Sequence, residues 1–338
     1  MLDYELYLQL QAVSKSNNKR ACTEKLERTF NIDYRTAIGI TKLLAYDKIS
    51  FEETKDFIQP GYYTMNNVME LSKSDFECLI PLKFYEDDEF LTLTGITELP
   101  SHFIHGCQSI TSFHLSKHIT SIGQSAFFSC GNLIEIEVEE RSEPLTIHHK
   151  AFYDCVRLSK FNITTSVYIE NEAFMNCLKL PDFKGEILSL GEKSFFGCIE
   201  LRNINLSRLK VIPLGAFHDC IWLNNLAVTK VQKIAPLAFQ NCYSLEKLDL
   251  HNIIEIDFAA FQNSGLKKVL LNGINLIEEN VFQNCKNLKE IIIQSLKISD
   301  IKSSAFDGCT KVENLQINDK QFHTPNMNCY EIIVSELI

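Results

Sequence analysis

The sequence predicts an α/β repeat solenoid built around a parallel β-sheet and led by a small, mainly helical N-terminal region. Three observations predict it. A block Ala-Phe-x-x-Cys recurs at a near-constant interval, each copy is followed by alternating apolar residues, and the first 90 residues lack both features while carrying helix-start signals.

The interval is set by one slot. It holds Cys107, Cys130, Cys155, Cys177, Cys198, Cys220, Cys242, Ser264, Cys285 and Cys309, in steps of 21 to 25 residues. Three places earlier stand Ile104, Phe127, Phe152, Phe174, Phe195, Phe217, Phe239, Phe261, Phe282 and Phe306, which accounts for much of a composition with 23 Phe and 1 Trp. Self-similarity at such a period marks a stacked repeat, because one unit cannot bury its own apolar face and neighbouring units must do it. After each Cys slot runs Leu-x-x-Ile-x-Ile, as in Leu201, Ile204 and Leu206 or Leu245, Leu248 and Leu250. The last two apolar positions alternate with polar ones, as a half-buried strand requires. One strand per unit is expected, so strands of successive units pair in parallel, each Phe lies over the next, and about ten units span residues 91–318. A second apolar pair, such as Val211 and Ile212 or Val231 and Ile234, precedes the next Ala-Phe.

The stretch Ile122-Gly123-x-x-Ala126-Phe127-x-x-Cys130-x-x-Leu133 resembles the BspA-type leucine-rich repeats, and the resemblance covers about residues 97–318. Ser264-Gly265-Leu266 is one residue short after the Cys slot. The resemblance implies a right-handed leucine-rich-repeat solenoid with a concave parallel sheet and a short-turned convex side. It also implies binding of a ligand or protein, often in adhesion, by proteins that are frequently secreted.

Residues 1–90 are expected to form a helical cap or docking region. Leu2 to Val13 is rich in helix formers, Ser50 with Glu53 makes a capping box before Phe51–Ile58, and Ser74 with Glu77 starts another short helix. Phe90–Leu93 reads as the strand of a decayed first unit. Leu26, Phe30, Ile32, Ala37, Leu43, Leu44 and Ile49 trace a helix-turn-helix outline, but its second helix offers only Arg35 and Lys42 as basic side chains, too few for a DNA reader. Residues 319–338 break the period and are expected to cap the last unit.

The formal net charge is −10, which does not attract phosphate backbones. Nucleic acid is therefore a disfavoured partner. No apolar run reaches the roughly 18 residues of a membrane span, and Met1 to Asn17 carries Asp3 and Glu5 with no long apolar stretch. Read as given, the chain is expected to be cytoplasmic, with a surface-exposed or exported location as the alternative.

No nucleotide or catalytic motif is present: there is no G-x-G-x-x-G, P-loop, H-E-x-x-H or G-x-S-x-G. No enzyme activity, catalytic residue or cofactor is assigned. The cysteines of the slot are expected to be buried structural thiols. His102, His105, Cys107, His114 and His118 have ligand chemistry but fall on different sides of the unit, so they are expected to diverge and no metal is assigned. The sequons at Asn162 and Asn205 are expected to be bare.

The expected partner is a protein. Along the outward positions of the sheet most residues are polar, but Leu270 and Ile292 follow one another, with Lys247, Lys268 and Glu290 beside them. An apolar centre with a charged rim is what an interface needs. The competing expectation is that the C-terminal cap folds over this patch. Glu135 and Glu137 form an acidic candidate for a basic partner, and Trp222 occupies a slot filled elsewhere by Arg157, Lys179, Glu200 and Ser244. The leading function is a non-catalytic protein-interaction scaffold. The alternatives are a surface-exposed adhesin and a DNA-binding regulator acting through the N-terminal helices.

Overall fold

A computed structural model of the chain describes residues 4–15, 19–30, 40, 44, 97–99, 101–108, 110–115, 117–294 and 300–323. The expected helix at Ser50–Ile58, the helix starting at Ser74, the strand at Phe90–Leu93, most of the helix-turn-helix outline and the tail beyond His323 lie outside the described residues.

Two helices, Tyr4–Lys15 and Lys19–Phe30, stand at the N-terminus. The first buries Tyr7 and Leu10, and the Cys22 thiol of the second donates to the Leu10 carbonyl at 3.4 Å. From Glu98 onward the chain winds into the expected parallel-sheet solenoid.

Most turns carry more strand than the single one expected. The predicted strands form ladders such as Ser112–Leu115, Glu135–Val138 and Lys160–Phe161, then Asp182–Phe183, Asn203–Asn205 and Asn225–Ala227, then Lys268–Asn272, Glu290–Gln294 and Asn314–Ile317. The second apolar pair is also a strand. Glu98–Leu99, Ser121–Ile122, Leu145–Ile147, Ser166–Ile169 and Glu186–Leu190 pair in parallel, and Val211–Ile212, Lys233–Ile234 and Glu255–Ile256 continue the arrangement. These strands escape a sequence reading because most are two residues long, too short for alternation to register.

The third side of the turn, around Ala-Phe, is held by another backbone device. Two columns have positive φ: Lys193, Leu237, Ala259 and Asn280 stand in the first, two places before Phe. Asp154, Asn176, Asp219, Asn241, Asn263 and Asn284 stand in the second, two places after it. Alternating right- and left-handed residues turn every second N–H toward the next turn. Gly215 N–H donates to Pro236 O (3.0 Å), Phe217 N–H to Ala238 O (2.9 Å) and Asp219 N–H to Gln240 O (3.0 Å), and the neighbouring turns repeat this. Asn, Asp and Gly fill most of the second column because they tolerate left-handed backbone.

The core is one continuous cluster from Leu99 to Ile317. Its axis is the Phe column, stacked as expected: ring centroids from Phe127 through Phe306 lie 4.9 to 5.7 Å apart with planes within 10°. In the N-terminal half, Phe113, Phe161 and Phe183 take the aliphatic strand position and meet the column edge-on, a favourable geometry for the ring quadrupole. Each Cys of the slot from Cys130 to Cys309 donates its thiol to the carbonyl of a column residue one turn earlier, at 3.0 to 3.2 Å. All are buried, except that Cys107 on the first turn is half-buried. Burial pushes the Cys130 thiol up to about 12 and raises those of Cys155, Cys177, Cys198, Cys220 and Cys242 as well. They therefore stay protonated, which the donating role demands.

Candidate functional site

The predicted surface pair meets. Leu270 and Ile292 lie opposite one another in the ladder between Lys268–Asn272 and Glu290–Gln294, both half-buried. Lys268 faces Glu290 two residues earlier in the same register and bridges it at 2.9 Å. Beyond Ile292 the column continues with Gln316 and, across an antiparallel hairpin, Gln321. The strand Lys320–His323 thus extends the edge of this sheet. Within the described residues, the expected cap adds to the ladder rather than lying across the pair.

Lys247 stands one turn back from Lys268, outside any paired strand. The turn from Leu245 to Leu250, expected to hold a strand, has none, and Lys247 is exposed there. The turn that follows is irregular as well. Ser264-Gly265-Leu266 is one residue short, and Gly265 N–H donates to Cys242 O at 3.1 Å. A Cβ on Gly265 would lie 2.0 Å from Tyr243 O, so only glycine permits the shortened path. The bond from Lys267 N–H to Glu246 O remains at 3.0 Å, but the strand pairing resumes only at Lys268.

The acidic candidate is partly compensated. Glu135 is bridged by Lys160 of the next turn at 3.2 Å, Glu137 stands opposite His114 in the ladder, and Glu139 accepts the Lys117 N–H at 2.9 Å. Elsewhere, Arg208 and then Ser166 hydrogen-bond Glu186 and hold its carboxyl below the usual range. Inter-turn pairs of this kind recur, as in Lys289 with Glu313 at 3.2 Å.

The histidines correct one expectation. His102 and His105 do converge, with Nδ1 atoms 3.4 Å apart. Among the described residues, no group of three or more His, Cys, Asp or Glu could hold a metal ion. His105 instead stacks on Phe128 at 4.7 Å, and Phe128 on Tyr153 at 4.8 Å. This outer ladder, one place after the Phe column, continues with Phe196 on His218 and then hydrogen-bonded Gln240, Gln262 and Gln283. The sequons are exposed, and Asn205 Oδ1 accepts the Ser207 N–H at 3.0 Å.

Trp222 is half exposed, and its backbone N–H donates to Ile199 O at 3.1 Å. The slot just after the cysteine places Val156, Leu178, Ile199, Ile221 and Tyr243 on five successive turns, with Gly131 before them and Gly265 after. The result is an apolar stripe along one flank, with Trp222 beside Ile221. The column can be read from the aligned repeats, but attention to the unusual Trp alone passes over it.

Compared with known proteins, the model of the BspA-type leucine-rich repeat region matches in six copies over residues 88–181, 168–274 and 255–333. Among solved structures, a leucine-rich-repeat protein of T. pallidum is 25% identical over 45% of this chain and 72% of its own, with a TM-score of 0.40. One from Bacteroides ovatus is 22% identical over 63% and 68%, with a TM-score of 0.40. The pneumococcal vaccine antigen PcpA is 17% identical over 65% and 71%, with a TM-score of 0.41. No curated protein matches. Among the described residues no helix is long and apolar enough to cross a membrane.

Proposed function

Since this chain belongs to the BspA-type leucine-rich-repeat family, we propose that it is a non-catalytic scaffold that binds a protein through the face of its longer-stranded sheet. The observation that carries the reading is the in-register pair Leu270 and Ile292, adjoined by the Lys268–Glu290 bridge. A small apolar centre with a paired polar rim excludes water at its middle and sets orientation at its edge. A cytoplasmic, reducing location fits the ten free cysteines among the described residues, eight of which donate as thiols inside the solenoid.

The test is affinity capture from lysate of the source cell with wild type and a Leu270→Asp/Ile292→Asp variant, both checked for folding by circular dichroism. A protein held by wild type and lost by the folded variant supports the reading. Equal capture by both baits removes the site, and capture by neither turns attention to an extracellular ligand.

A further inference from the structure

We propose that the flank carrying Trp222 is a self-association surface on which a second copy of this chain docks about a two-fold axis parallel to the stripe. The stripe is five turns long, Val156 to Tyr243, and spans about 20 Å at the spacing of paired strands. Two of its aromatics are among the most exposed on the molecule: Trp222 at 51% and Tyr243 at 54%. Neither is needed for the fold, since the same slots elsewhere carry Glu200 and Lys286.

The occupant follows from the borders. On the side toward the Phe column the stripe is edged by Asp154 and Asp219, neither of which has a Lys or Arg partner among the described residues; their neighbours are Asn176, Asn241 and His218. On the side toward the strand it is edged by Arg157, Lys179, Glu200 and Arg202. Lys179 and Glu200 neutralise each other at 2.5 Å, while Arg157 donates to the amide oxygen of Asn132 and has no carboxylate partner among the described residues. One border therefore has a net negative charge and the other a net positive one. When two such faces meet about an axis along the stripe, each turn meets the same turn of the other copy and the acidic border meets the basic one. Asp154 then faces Arg157, and Asp219 lies within one turn of Arg202, twice over by symmetry. The face is self-complementary in the sense an isologous dimer requires. About an axis across the stripe, like borders would meet and repel. The band is narrower than the roughly 800 Å² per partner of a standard interface, so the dimer is weak and concentration-dependent.

The experiment is sedimentation velocity of the full chain from about 1 to about 200 µM, a range that brackets weak association. The average mass is expected to rise from the 38.8 kDa monomer toward twice that value, and less so at high salt because the borders are exposed. Trp222→Glu, a residue native to that slot, is expected to stay monomeric. Asp154→Asn/Asp219→Asn, residues native to that column, is expected to weaken association several-fold. A wild type that remains at monomer mass throughout overturns the proposal. So does association that survives Trp222→Glu, which would place it elsewhere, or association strengthened by the Asp→Asn pair, which would mean the stripes run antiparallel. A partner of another kind on this flank would appear as a monomeric wild type.

Discussion

Truncating one ring at the middle of the stack should cost more than truncating one at its end. Phe217 is fully buried between Phe195 at 5.7 Å and Phe239 at 5.4 Å. Returning a buried Phe side chain to water forfeits roughly 1.5–3 kcal/mol. Rigid neighbours on both sides prevent collapse, and a residual void on the order of 70 Å³ adds about 1.7 kcal/mol at about 24 cal/mol per Å³. Phe217→Ala is thus expected to lose about 4 kcal/mol, within the range for large core truncations. Phe306, on the last turn, stacks on Phe282 alone among the described residues, so the space it leaves can close from one side. Phe306→Ala is expected to lose about 2 kcal/mol less, since the cavity contribution varies with how far a site can relax. The assay is urea unfolding followed by Trp222 emission, which reports the turn that holds Phe217, beside far-ultraviolet circular dichroism, which reports the whole solenoid. Stacked repeats can lose cooperativity, and the two probes will show whether they do. A Phe217→Ala loss below about 1 kcal/mol, or a larger loss at Phe306, would refute the reasoning.

Two further outcomes follow from the backbone and the thiols. Leu237 sits at φ 60 in a column where Gly215 and Asn280 are the tolerant residues; Leu237→Asn is expected to raise stability by about 0.5–1 kcal/mol through relief of left-handed strain, and an unchanged or lower urea midpoint would count against that strain. Cys130, Cys155, Cys177, Cys198, Cys220 and Cys242 hold their protons more tightly folded than unfolded because burial disfavours the thiolate, whereas at Cys285 burial is outweighed by hydrogen bonds with Cys309 and Ser264 and the shift runs the other way. The contribution of the raised thiols is complete below the unfolded value of about 8.5 and is lost as pH rises from there toward the folded value, at up to about 1.4 kcal/mol per pH unit for each thiol. The urea midpoint should therefore drop steeply between about pH 8 and about pH 10, and a flat profile would mean that the column is not held as thiols.

What the sequence made legible divides along physical lines. The Phe and Cys slots were readable because each is filled by one residue type on nine of ten turns, with Ile104 and Ser264 as the exceptions: a flat ring that stacks on its copy, and a small thiol that reaches the carbonyl one turn back. The in-register meeting of Leu270 and Ile292 followed from counting along a fixed repeat. The second strand was not readable, since Val211–Ile212 and Lys233–Ile234 each bury one residue and leave no alternation. The left-handed columns were half readable: Asp154, Asn176, Asn241 and Asn263 announce positive φ, but Leu237 and Ala259 hold the same backbone only because the inter-turn hydrogen bonds fix it. Lys247 keeps the place that counting along the repeat gives it, one turn back from Lys268, but the missing strand pairing around it and the glycine-only path at Gly265, where a Cβ would meet Tyr243 O, were not legible.

The same repetition would let the two proposed surfaces coexist on one chain. Stability resides in slots that point inward on every turn, so an outward slot can change on one turn with little effect on the next. The Leu270–Ile292 pair lies on the strand side of the two turns after Gly265, whereas the stripe from Val156 to Tyr243 lies on the flank of the five turns before it. Gly265 ends the stripe, and the strand that carries Leu270 begins three residues later. A dimer formed through the flank leaves both copies of the strand-side pair open, so each assembly would present two identical binding faces. Joining two weak sites in this way raises apparent affinity without any new contact, provided both can reach the same target. That advantage suits a chain whose individual apolar patches are each too small for tight binding on their own.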